Sequence, residues 1–505
     1  MKKALSFDIG TSSVKASLWE ESGICLACAV KEYRTFASAD GVIREQRPAD
    51  WWSCICDASQ ELLSSCSDKD DIVSIGLSGH SIGVVAVDEE GNLLCEKTPL
   101  WSDSRAKEQA EAFFETIDYR DWYYDTGCGF PAPLYGIFKI MWYRDHLSTV
   151  YQKTKCFLGT KDYINFLLTG RMATDFSYVA GSGAYSLTRR QYETKYIDAA
   201  GLDAGKFPEI LAPYEVLGPL KSSIASDWGL SSIPMVVCGS VDNACMCLGA
   251  GCIHDGEAYA SLGSSAWIAA CSASPALNLG KGIYTFPHCI DNHYIPAAGI
   301  FSAGTSLEWV ADSFFADLDK EKRMKIFDST ASEAAIGANG LLFCPVMAGG
   351  SCVDASADMR GGFGGLTLGI EKRDVARAVL EGISFELRLA LDALAAQIPI
   401  SDFLRVVGGG AKSDVWLSIY ADIFEKNILR TTVIRETAAL GAAALAFRGA
   451  GIWEDFEPIQ CLIRCEKVFS YSKENVALYG KVRERFEKFC FLLAKLDSDE
   501  TTNVK

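Results

Sequence analysis

The sequence predicts an α/β protein made of two similar lobes. Short runs with the two-residue period of strands alternate with stretches at helical spacing along most of the chain. A strand, a turn of glycine and hydroxyl residues, and a second strand occur near the N-terminus and again near residue 260. At 505 residues the chain is also too long for one hydrophobic core. We place an N-terminal lobe at 1–250, a C-terminal lobe at 251–490 and a polar tail at 491–505.

Composition and charge narrow the classes of partner. Hydrophobic residues make up 49% and charged residues 22% of the chain, which is ordinary for a folded protein. The formal net charge of -17 argues against a nucleic acid or an anionic membrane as partner, because either requires a basic surface. The chain shows neither a signal-like apolar segment nor a run long enough to span a bilayer. We therefore expect a cytoplasmic protein that acts on a small molecule.

The first predicted hairpin carries groups suited to a phosphate. Lys3–Ile9 alternates apolar and polar side chains, and Val14–Trp19 returns with the same period. Between them, Gly10 allows close approach of the backbone to a ligand. The hydrogen-bond donors around it are Thr11, Ser12, Ser13 and Lys15. This is not the G-x-x-x-x-G-K-[ST] pattern of a P-loop, and a purely structural turn is the alternative.

A second set of residues suits a sugar or polyol. The predicted strand Ile72–Leu77 leads into the small polar loop Ser78–Gly83. Further on, Trp101 and Asp103 stand two residues apart at the entrance to a predicted helix. An aromatic face beside hydrogen-bonding groups matches the apolar and polar sides of a sugar ring. The alternative is that Asp103 caps the helix and Trp101 belongs to the core.

Asp242 lies at a predicted strand-to-helix corner. The apolar run Met235–Cys238 indicates a buried strand, followed by a sharp turn at Gly239. Small residues from Asn243 onward indicate a helix. Free N–H groups and the helix dipole at such a position favour the ionised carboxylate. Asp242 is therefore a candidate general base, with a helix cap as the alternative.

The second hairpin repeats the first with one difference. Glu257–Leu262 and Ala266–Ala270 read as strands, joined by the turn Gly263-Ser264-Ser265. When the two hairpins are aligned on their glycines, Asp8 falls opposite Ser261. Two hydroxyl-rich turns could close on one phosphate chain from both sides, but only the first brings an acid. Asp8 is therefore the candidate Mg²⁺-side carboxylate, because Mg²⁺ prefers oxygen ligands.

The C-terminal part predicts a second α/β lobe. Glu371–Gln397 has the apolar stripe of a long helix. The strand Phe403–Val407 ends in the glycines of Gly408–Ala411, which let the backbone approach a flat or phosphorylated ligand. Val415–Phe424 is a helix, and Glu436–Phe447 is an alanine-rich helix able to pack closely against its neighbours.

Taken together, these residues resemble the FGGY family of carbohydrate kinases. That family shares the actin-like, ribonuclease-H-like two-lobed fold with hexokinase and Hsp70. Gly361–Leu366 followed by Asp374–Glu381 is similar to its C-terminal signature, and Lys139–Trp142 fits part of its N-terminal signature. Further similar segments are Phe7–Thr11 and Ser261–Ser265 (phosphate loops), Gly408–Ser413 (adenosine loop) and Gly239–Asn243 (catalytic base).

The resemblance implies ATP and Mg²⁺, with Asp242 as catalytic base and Asp8 on the metal side. The substrate-binding residues that it implies are His80, Ser81, Trp101, Asp103, Asp242 and Asn243. The ATP-binding residues that it implies are Gly10, Thr11, Ser12, Ser13, Lys15, Gly263, Ser264, Ser265, Gly304, Thr305, Gly409, Gly410 and Ala411.

The resemblance narrows the phosphoryl acceptor to a sugar, sugar acid or polyol but does not identify the compound. The segment Trp101-Ser102-Asp103-Ser104-Arg105 is most similar to the xylulose-kinase branch, which has Trp-Asn-Asp-x-Arg there. In the sugar loop that branch carries Gly-Gln-Met-His-Gly, whereas this chain has Ile82 at the histidine position. Xylulose is the expected acceptor, with ribulose, gluconate, erythritol and glycerol as alternatives. An actin- or Hsp70-like ATPase is the remote alternative, and a homodimer is left open.

Overall fold

The computed structural model describes residues 1–64, 66, 68–316, 319–351, 353–354, 356, 358–434 and 436–498. The strands of the first half are β1 (Lys3–Ile9), β2 (Ser13–Glu20), β3 (Cys25–Glu32), β4 (Phe36–Ala37), β5 (Arg44–Gln46), β6 (Ile72–Gly79), β7 (Val85–Val87), β8 (Thr98–Pro99), β9 (Cys156–Leu158), β10 (Ala173–Asp175), β11 (Tyr185–Ser186), β12 (Gln191–Tyr192), β13 (Glu209–Leu211), β14 (Val216–Pro219), β15 (Met235–Val237) and β16 (Ser240–Val241). Its helices are α1 (Pro48–Ser64), α2 (Lys107–Phe114), α3 (Tyr119–Thr126), α4 (Gly136–His146), α5 (Ser148–Lys153), α6 (Thr160–Thr169), α7 (Phe176–Val179), α8 (Thr194–Ala199), α9 (Ser222–Asp227) and α10 (Asp242–Gly249).

The second half also alternates strands and helices along the chain. Its strands are β17 (Ala258–Leu262), β18 (Ala266–Ala270), β19 (Tyr284–Pro287), β20 (Tyr294–Ile300), β21 (Leu342–Cys344), β22 (Gly362–Gly364), β23 (Phe403–Val407), β24 (Asn427–Thr431) and β25 (Cys465–Phe469). Its helices are α11 (Gly304–Phe314), α12 (Lys320–Ser332), α13 (Lys372–Ala395), α14 (Asp414–Phe424), α15 (Thr437–Gly449), α16 (Pro458–Leu462) and α17 (Lys473–Ser498).

Two mixed sheets of matching topology form the centres of the lobes. The first has the order β14-β15-β6-β1-β2-β3, and β16 also pairs with β6. The second has the order β19-β20-β18-β17-β23-β24-β25. In both, a central hairpin is antiparallel and its first strand pairs in parallel with a strand from later in the lobe, β6 or β23. The predicted two-lobed α/β architecture is confirmed.

Helices cover both faces of these sheets. Leu5, Phe7 and Ile9 of β1 share a buried cluster with Trp51 of α1. The opposite face of β1 and β6 contacts α15 from the C-terminal half. Gly76 of β6 permits this contact, because a Cβ there would lie only 2.1 Å from the carbonyl oxygen of Ala442.

The two halves meet where α10 and α15 pack against each other. A Cβ on Gly249 would lie 1.8 Å from the carbonyl oxygen of Thr437, and one on Gly441 would lie 1.9 Å from that of Cys245. Glycine at both positions therefore brings the two helix backbones into direct contact. The close packing predicted for the alanine-rich helix is confirmed and lies at the junction of the lobes.

Several predicted boundaries need correction. Ser240, predicted within a turn, forms a short strand with Val241 that is parallel to β6. The helix predicted to begin at Trp101 and Asp103 begins only at Lys107, because an irregular turn intervenes. The first part of the tail predicted at 491–505 continues α17 to Ser498, and 499–505 lie outside the described residues. Among the described helices, none combines the length and apolar character that crossing a bilayer requires.

Candidate active site

Three parallel strands of the first sheet, β1, β6 and β16, place polar residues at their carboxyl ends. Asp8 of β1 lies opposite Ser78 of β6, and Ser240 of β16 lies on the other side of Ser78. The Ser78 hydroxyl donates to Asp8 Oδ1 at 2.9 Å. Asp242 follows β16 directly as the first residue of α10. The carboxyl ends of the strands therefore gather both candidate carboxylates, as expected for a site at the edge of an α/β sheet.

Asp242 is in a different electrostatic state from the one predicted. Burial, together with the negative charge of Asp8, raises its pKa to about 7, although the hydrogen bond from the N–H of Asn243 acts in the opposite direction. That N–H donates to Asp242 Oδ1 at 2.8 Å. The helix start was expected to favour the ionised carboxylate, but desolvation outweighs the effect of the helix end on the pKa. The cap alternative also fails, since Val241 occupies the capping position.

Asp8 is only partly exposed and has positive and polar neighbours. Burial raises its pKa, while Lys15 and the Ser78 hydroxyl lower it. Lys15 lies directly across the hairpin from Asp8 in the β1–β2 pairing. Sequence analysis did not select Ser78 as a site residue. Its place at the end of the strand parallel to β1 is the signal that could have found it.

The first phosphate turn is exposed and closed by its own backbone. The N–H of Gly10 donates to the carbonyl of Ser13 at 3.0 Å. Thr11 and Ser12 are exposed to solvent at its tip. A turn with outward-facing N–H and hydroxyl groups can surround a phosphate oxygen.

Side chains from three other segments support this turn. Gln46 Nε2 donates to the Thr11 carbonyl at 2.6 Å, and the Tyr33 hydroxyl donates to the Gly10 carbonyl. Trp101 Nε1 donates to Thr11 Oγ1 at 3.3 Å. The structure therefore joins the predicted sugar residue Trp101 to the predicted phosphate turn. Gln46 and Tyr33 were missed because no local sequence pattern links them to this turn.

The second phosphate turn meets the beginning of α11. The N–H of Gly263 donates to the carbonyl of Ser265, and the N–H of Thr305 donates to the carbonyl of Ser264, at 3.0 and 3.1 Å. A Cβ on Gly304 would lie 2.5 Å from the carbonyl oxygen of Gly263. These five predicted ATP residues therefore lie together, with Ser264 and Thr305 exposed.

The predicted adenosine loop lies beside that turn. β23 pairs in parallel with β17, so the loop that follows it begins next to Leu262. Gly408 has φ +91°, and a Cβ there would lie 2.7 Å from the Leu262 carbonyl oxygen. Gly409 faces open space, whereas Gly410 packs against Leu262. Ala411 has no exposed surface in this conformation, and its role in binding ATP stays a prediction.

Two predicted sugar ligands are buried. His80 is only 1% exposed, and its ring lies against Trp51 with centroids 5.5 Å apart. Burial lowers its pKa to about 4, so the imidazole is neutral at pH 7. Asp103 has no exposed surface, and both its oxygens bond to Arg105, at 2.8 and 2.6 Å. In this conformation both side chains offer almost no surface to a ligand, and their contact with a sugar stays a prediction.

The other residues predicted to bind the sugar are at least slightly exposed to solvent. Trp101 is 37% exposed, and Asp242 and Asn243 are partly exposed. Ser81 is at 9% exposure and lies at the tip of the sugar loop Ser78–Gly83.

A buried lysine that was not selected as a site residue joins the two sugar segments. Lys139 Nζ donates to the carbonyls of Leu100 and Ile82, which belong to different segments. Burial lowers the pKa of Lys139 to about 7. Ile82 adopts φ +59°, which is unfavourable for a β-branched residue and is held by such contacts. A lysine within the apolar run Ile137–Met141 is the sequence signal that could have marked it.

The chain matches known proteins over nearly its whole length. The N-terminal domain of the FGGY family of carbohydrate kinases matches residues 3–249, and the C-terminal domain matches 258–450. A xylulose kinase from Staphylococcus epidermidis is 29% identical over 500 residues, which cover 99% of this chain and 98% of that protein. A gluconokinase from Bacillus licheniformis is 26% identical over 491 residues, which cover 95% and 94%.

The structural likeness is equally extensive. The structure of a ligand-bound xylulose kinase from Lactobacillus acidophilus superposes with a TM-score of 0.90 at 24% identity, covering 98% of this chain and 99% of that one. That likeness shows the fold, and the two family domains show the kind of enzyme. The chain therefore belongs to the FGGY family of carbohydrate kinases and is an ATP-dependent sugar kinase, a phosphotransferase whose acceptor is an alcohol group.

Proposed function

We propose that this kinase transfers the γ-phosphoryl group of ATP to a primary hydroxyl of a ketopentose, with xylulose as the first candidate. The observation that carries the proposal is the position of Asp242 beside Asp8, with a pKa raised to about 7. A general base works best when its pKa lies near the working pH, because it is then both available and basic enough to take the proton.

Asp242 accepts the proton of the attacking hydroxyl as the oxygen approaches phosphorus in line. Phosphoryl transfer depends mostly on positioning and on stabilising charge, so the base supplies only part of the rate. The hydroxyl groups of the exposed residues Thr11, Ser12 and Ser264 are suited to the phosphoryl oxygens. Closure of the lobes around the substrates excludes water, which would otherwise compete as acceptor.

The donor atoms at the site fit Mg²⁺. Asp8 and Asp242 are like-charged carboxylates close enough for one to raise the pKa of the other, and a divalent cation relieves that repulsion. Asp8 would hold the ion, whose chemistry is to neutralise charge on the phosphates. Ser78 orients the Asp8 carboxylate through its hydrogen bond.

The choice of xylulose rests on similarity and on one segment. Relatives named xylulose kinase cover nearly the whole chain, and Trp101-Ser102-Asp103-Ser104-Arg105 is similar to their branch. Ile82 replaces the histidine of that branch in the sugar loop, which changes the hydroxyl pattern that the loop recognises. Gluconate is the second candidate, because a gluconokinase matches over nearly the same span.

The test is a phosphorylation screen of single acceptors with purified protein and MgATP. The panel contains xylulose, ribulose, gluconate, erythritol and glycerol. Asp242→Ala should lower kcat for the best acceptor by roughly 10²–10⁴, the range for loss of a general base, and leave the KM for ATP nearly unchanged. Asp198→Ala removes an exposed carboxylate from the same lobe and serves as control.

The outcomes separate the parts of the proposal. Preference for an acceptor other than xylulose rejects xylulose and leaves the base in place. Near-normal turnover of Asp242→Ala removes Asp242 from its role. ATP turnover that is indifferent to all five acceptors rejects xylulose and each alternative in the panel.

A further inference from the structure

A fully buried charge cluster lies behind the strand-to-helix corner. Lys161 has no exposed surface, and its Nζ lies 2.5 Å from Asp162 Oδ1 and 3.1 Å from Asp175 Oδ1. Both carboxylates are buried as completely. Burying three charges has a large desolvation cost, and apolar residues of similar volume often stabilise a fold as well or better. The cluster therefore calls for a role other than stability.

One hydrogen-bond chain runs from this cluster to the residue before Asp242. Asp175 Oδ2 accepts from the Ser177 hydroxyl at 2.5 Å and from its N–H at 2.8 Å. Ser177 Oγ in turn accepts from the N–H of Val241 at 3.2 Å. Its remaining partner, the Ser240 hydroxyl, must be the donor, since the Ser177 proton already points at Asp175. The chain is therefore directional and ends on Asp175.

A second contact fixes the other side of the corner. The carbonyl of Cys238 accepts from Lys161 Nζ at 3.2 Å and from Asn165 Nδ2 at 2.6 Å. Between these fixed peptides, Gly239 has φ +73°, and a Cβ there would lie 2.2 Å from the carbonyl oxygen of Leu77. The backbone on both sides of Gly239 is thus tied to α6 and to β6.

The same elements also support the sugar loop. A Cβ on Gly79 would lie 2.9 Å from the Cβ of Lys161, so this part of the loop rests directly on the lysine. The N–H of Thr160 donates to the Tyr178 hydroxyl at 2.8 Å, and that hydroxyl donates to the carbonyl of His80 at 2.9 Å. Residues 160–178 therefore form a common support for the loop and for the corner.

From this geometry we infer that Lys161, Asp175 and Ser177 are positioning residues for Asp242. They are buried and do not touch the substrate. They fix the backbone immediately before Asp242 relative to the loop that faces the acceptor. The inference rests on the proposed function, in which Asp242 must reach the hydroxyl in line with the phosphoryl group. A displacement of about 1 Å in such a geometry costs on the order of 10²-fold in rate.

Ser177→Ala tests this role, because it cuts the chain and leaves the charges in place. We expect kcat to fall about 10- to 100-fold while the KM for ATP stays within about twofold, since misplacement of the base affects the chemical step. Ser177→Cys keeps nearly the same volume, weakens the same bonds and should show a smaller loss of the same kind. It also carries the test if Ser177→Ala does not fold.

Ser186→Ala is the matched control. Ser186 is a buried serine of the same lobe whose hydroxyl donates to Asp125 Oδ1 at 2.6 Å, away from the corner. Its kcat should stay within about twofold of wild type. Each variant is assayed at a temperature at which circular dichroism shows that it is folded.

The results distinguish a positioning role of Ser177 from general destabilisation of the lobe and from failure of the proposed base. A kcat within about twofold of wild type in the folded Ser177 variants overturns the inference. Equal losses in Ser177→Ala and Ser186→Ala indicate general destabilisation and overturn it as well. Asp242→Ala, assayed in parallel, isolates the proposed function: retention of turnover there rejects the base itself, whatever the Ser177 variants do.

Discussion

The two central hairpins occupy the same place in their sheets and differ in what they carry. In β1–β2, Asp8 lies beside Ser78 of the neighbouring parallel strand, whereas in β17–β18 the matching Ser261 lies beside Val407. The first turn spans 10–13 and the second spans 263–265, so the first is one residue longer. The polar pair of the first lobe thus corresponds to a pair of one polar and one apolar residue in the second. Of these two matching strand positions, only the one in the first lobe carries a carboxylate.

The helices that follow the sheets show the same division. α10 begins with Asp242, and α15, which packs against it, begins with Thr437. Their backbones touch at Gly249 and Gly441, so the packing at the junction is equivalent on both sides. The helix starts differ in where a carboxylate stands: Asp242 is the first residue of α10, whereas in α15 Glu436 stands one position earlier, at the N-cap. Equivalent packing at the junction therefore does not require equivalent placement of charge.

Among substitutions in the two hairpins, the largest effect should come from removing the charge of Asp8. Asp8→Asn should lower kcat about 10²–10³-fold, because it removes the carboxylate that we propose as the holder of Mg²⁺. Ser261→Ala, at the matching position of the second hairpin, should change kcat by no more than a few-fold. Steady-state assays over a Mg²⁺ titration measure both.

Equal losses in Asp8→Asn and Ser261→Ala would break the comparison, since both lobes would then contribute equally. Full activity of Asp8→Asn at high Mg²⁺ would make the comparison of the two hairpins more specific. It would show that the Asp8 carboxylate contributes to kcat only through the affinity for Mg²⁺.

A smaller effect is expected in the second lobe, at the glycines after β23. Gly409 faces open space, so Gly409→Ala should fold normally and raise the KM for ATP several-fold if this loop borders the adenosine. Gly408→Ala forces a side chain into a positive φ and against Leu262, which costs about 1–3 kcal/mol of folding free energy. Thermal unfolding and ATP titrations separate the two.

An unchanged KM for ATP in Gly409→Ala would show that the nucleotide does not approach this loop. Asp242→Asn is the contrasting variant in the first lobe, where kcat should change and the KM for ATP should not.

Local patterns predicted the scaffold well. The bounds of β1, β18 and β23 follow directly from their alternating or apolar runs, and the glycines between strands mark real turns. Asp242 stands at a helix start, as the change from an apolar run to small residues predicted. Such features depend on neighbours in sequence, which is why one chain suffices to find them.

The state of the site residues depends on distant partners and could not be predicted in the same way. Asp103 is enclosed by Arg105 and by the backbone N–H of Arg44 from another segment. The pKa of Asp242 depends on burial and on Asp8, at the opposite end of the lobe in sequence. Lys161 is followed directly by Asp162, but no local pattern shows that Asp175 of β10 completes the buried cluster. Tertiary packing decides each of these.

The pH dependence of kcat for wild type and Asp242→Asn, with saturating MgATP and the acceptor found in the screen, tests the central claim most directly. A base with a pKa of about 7 is ionised to about one tenth at pH 6 and about nine tenths at pH 8, so wild-type kcat should rise over that range, by about tenfold at most, because Mg²⁺ held at Asp8 lowers the pKa of Asp242. Asp242→Asn should be slow at every pH, with no such rise. A variant that keeps both wild-type turnover and the rise through pH 7 would contradict the account.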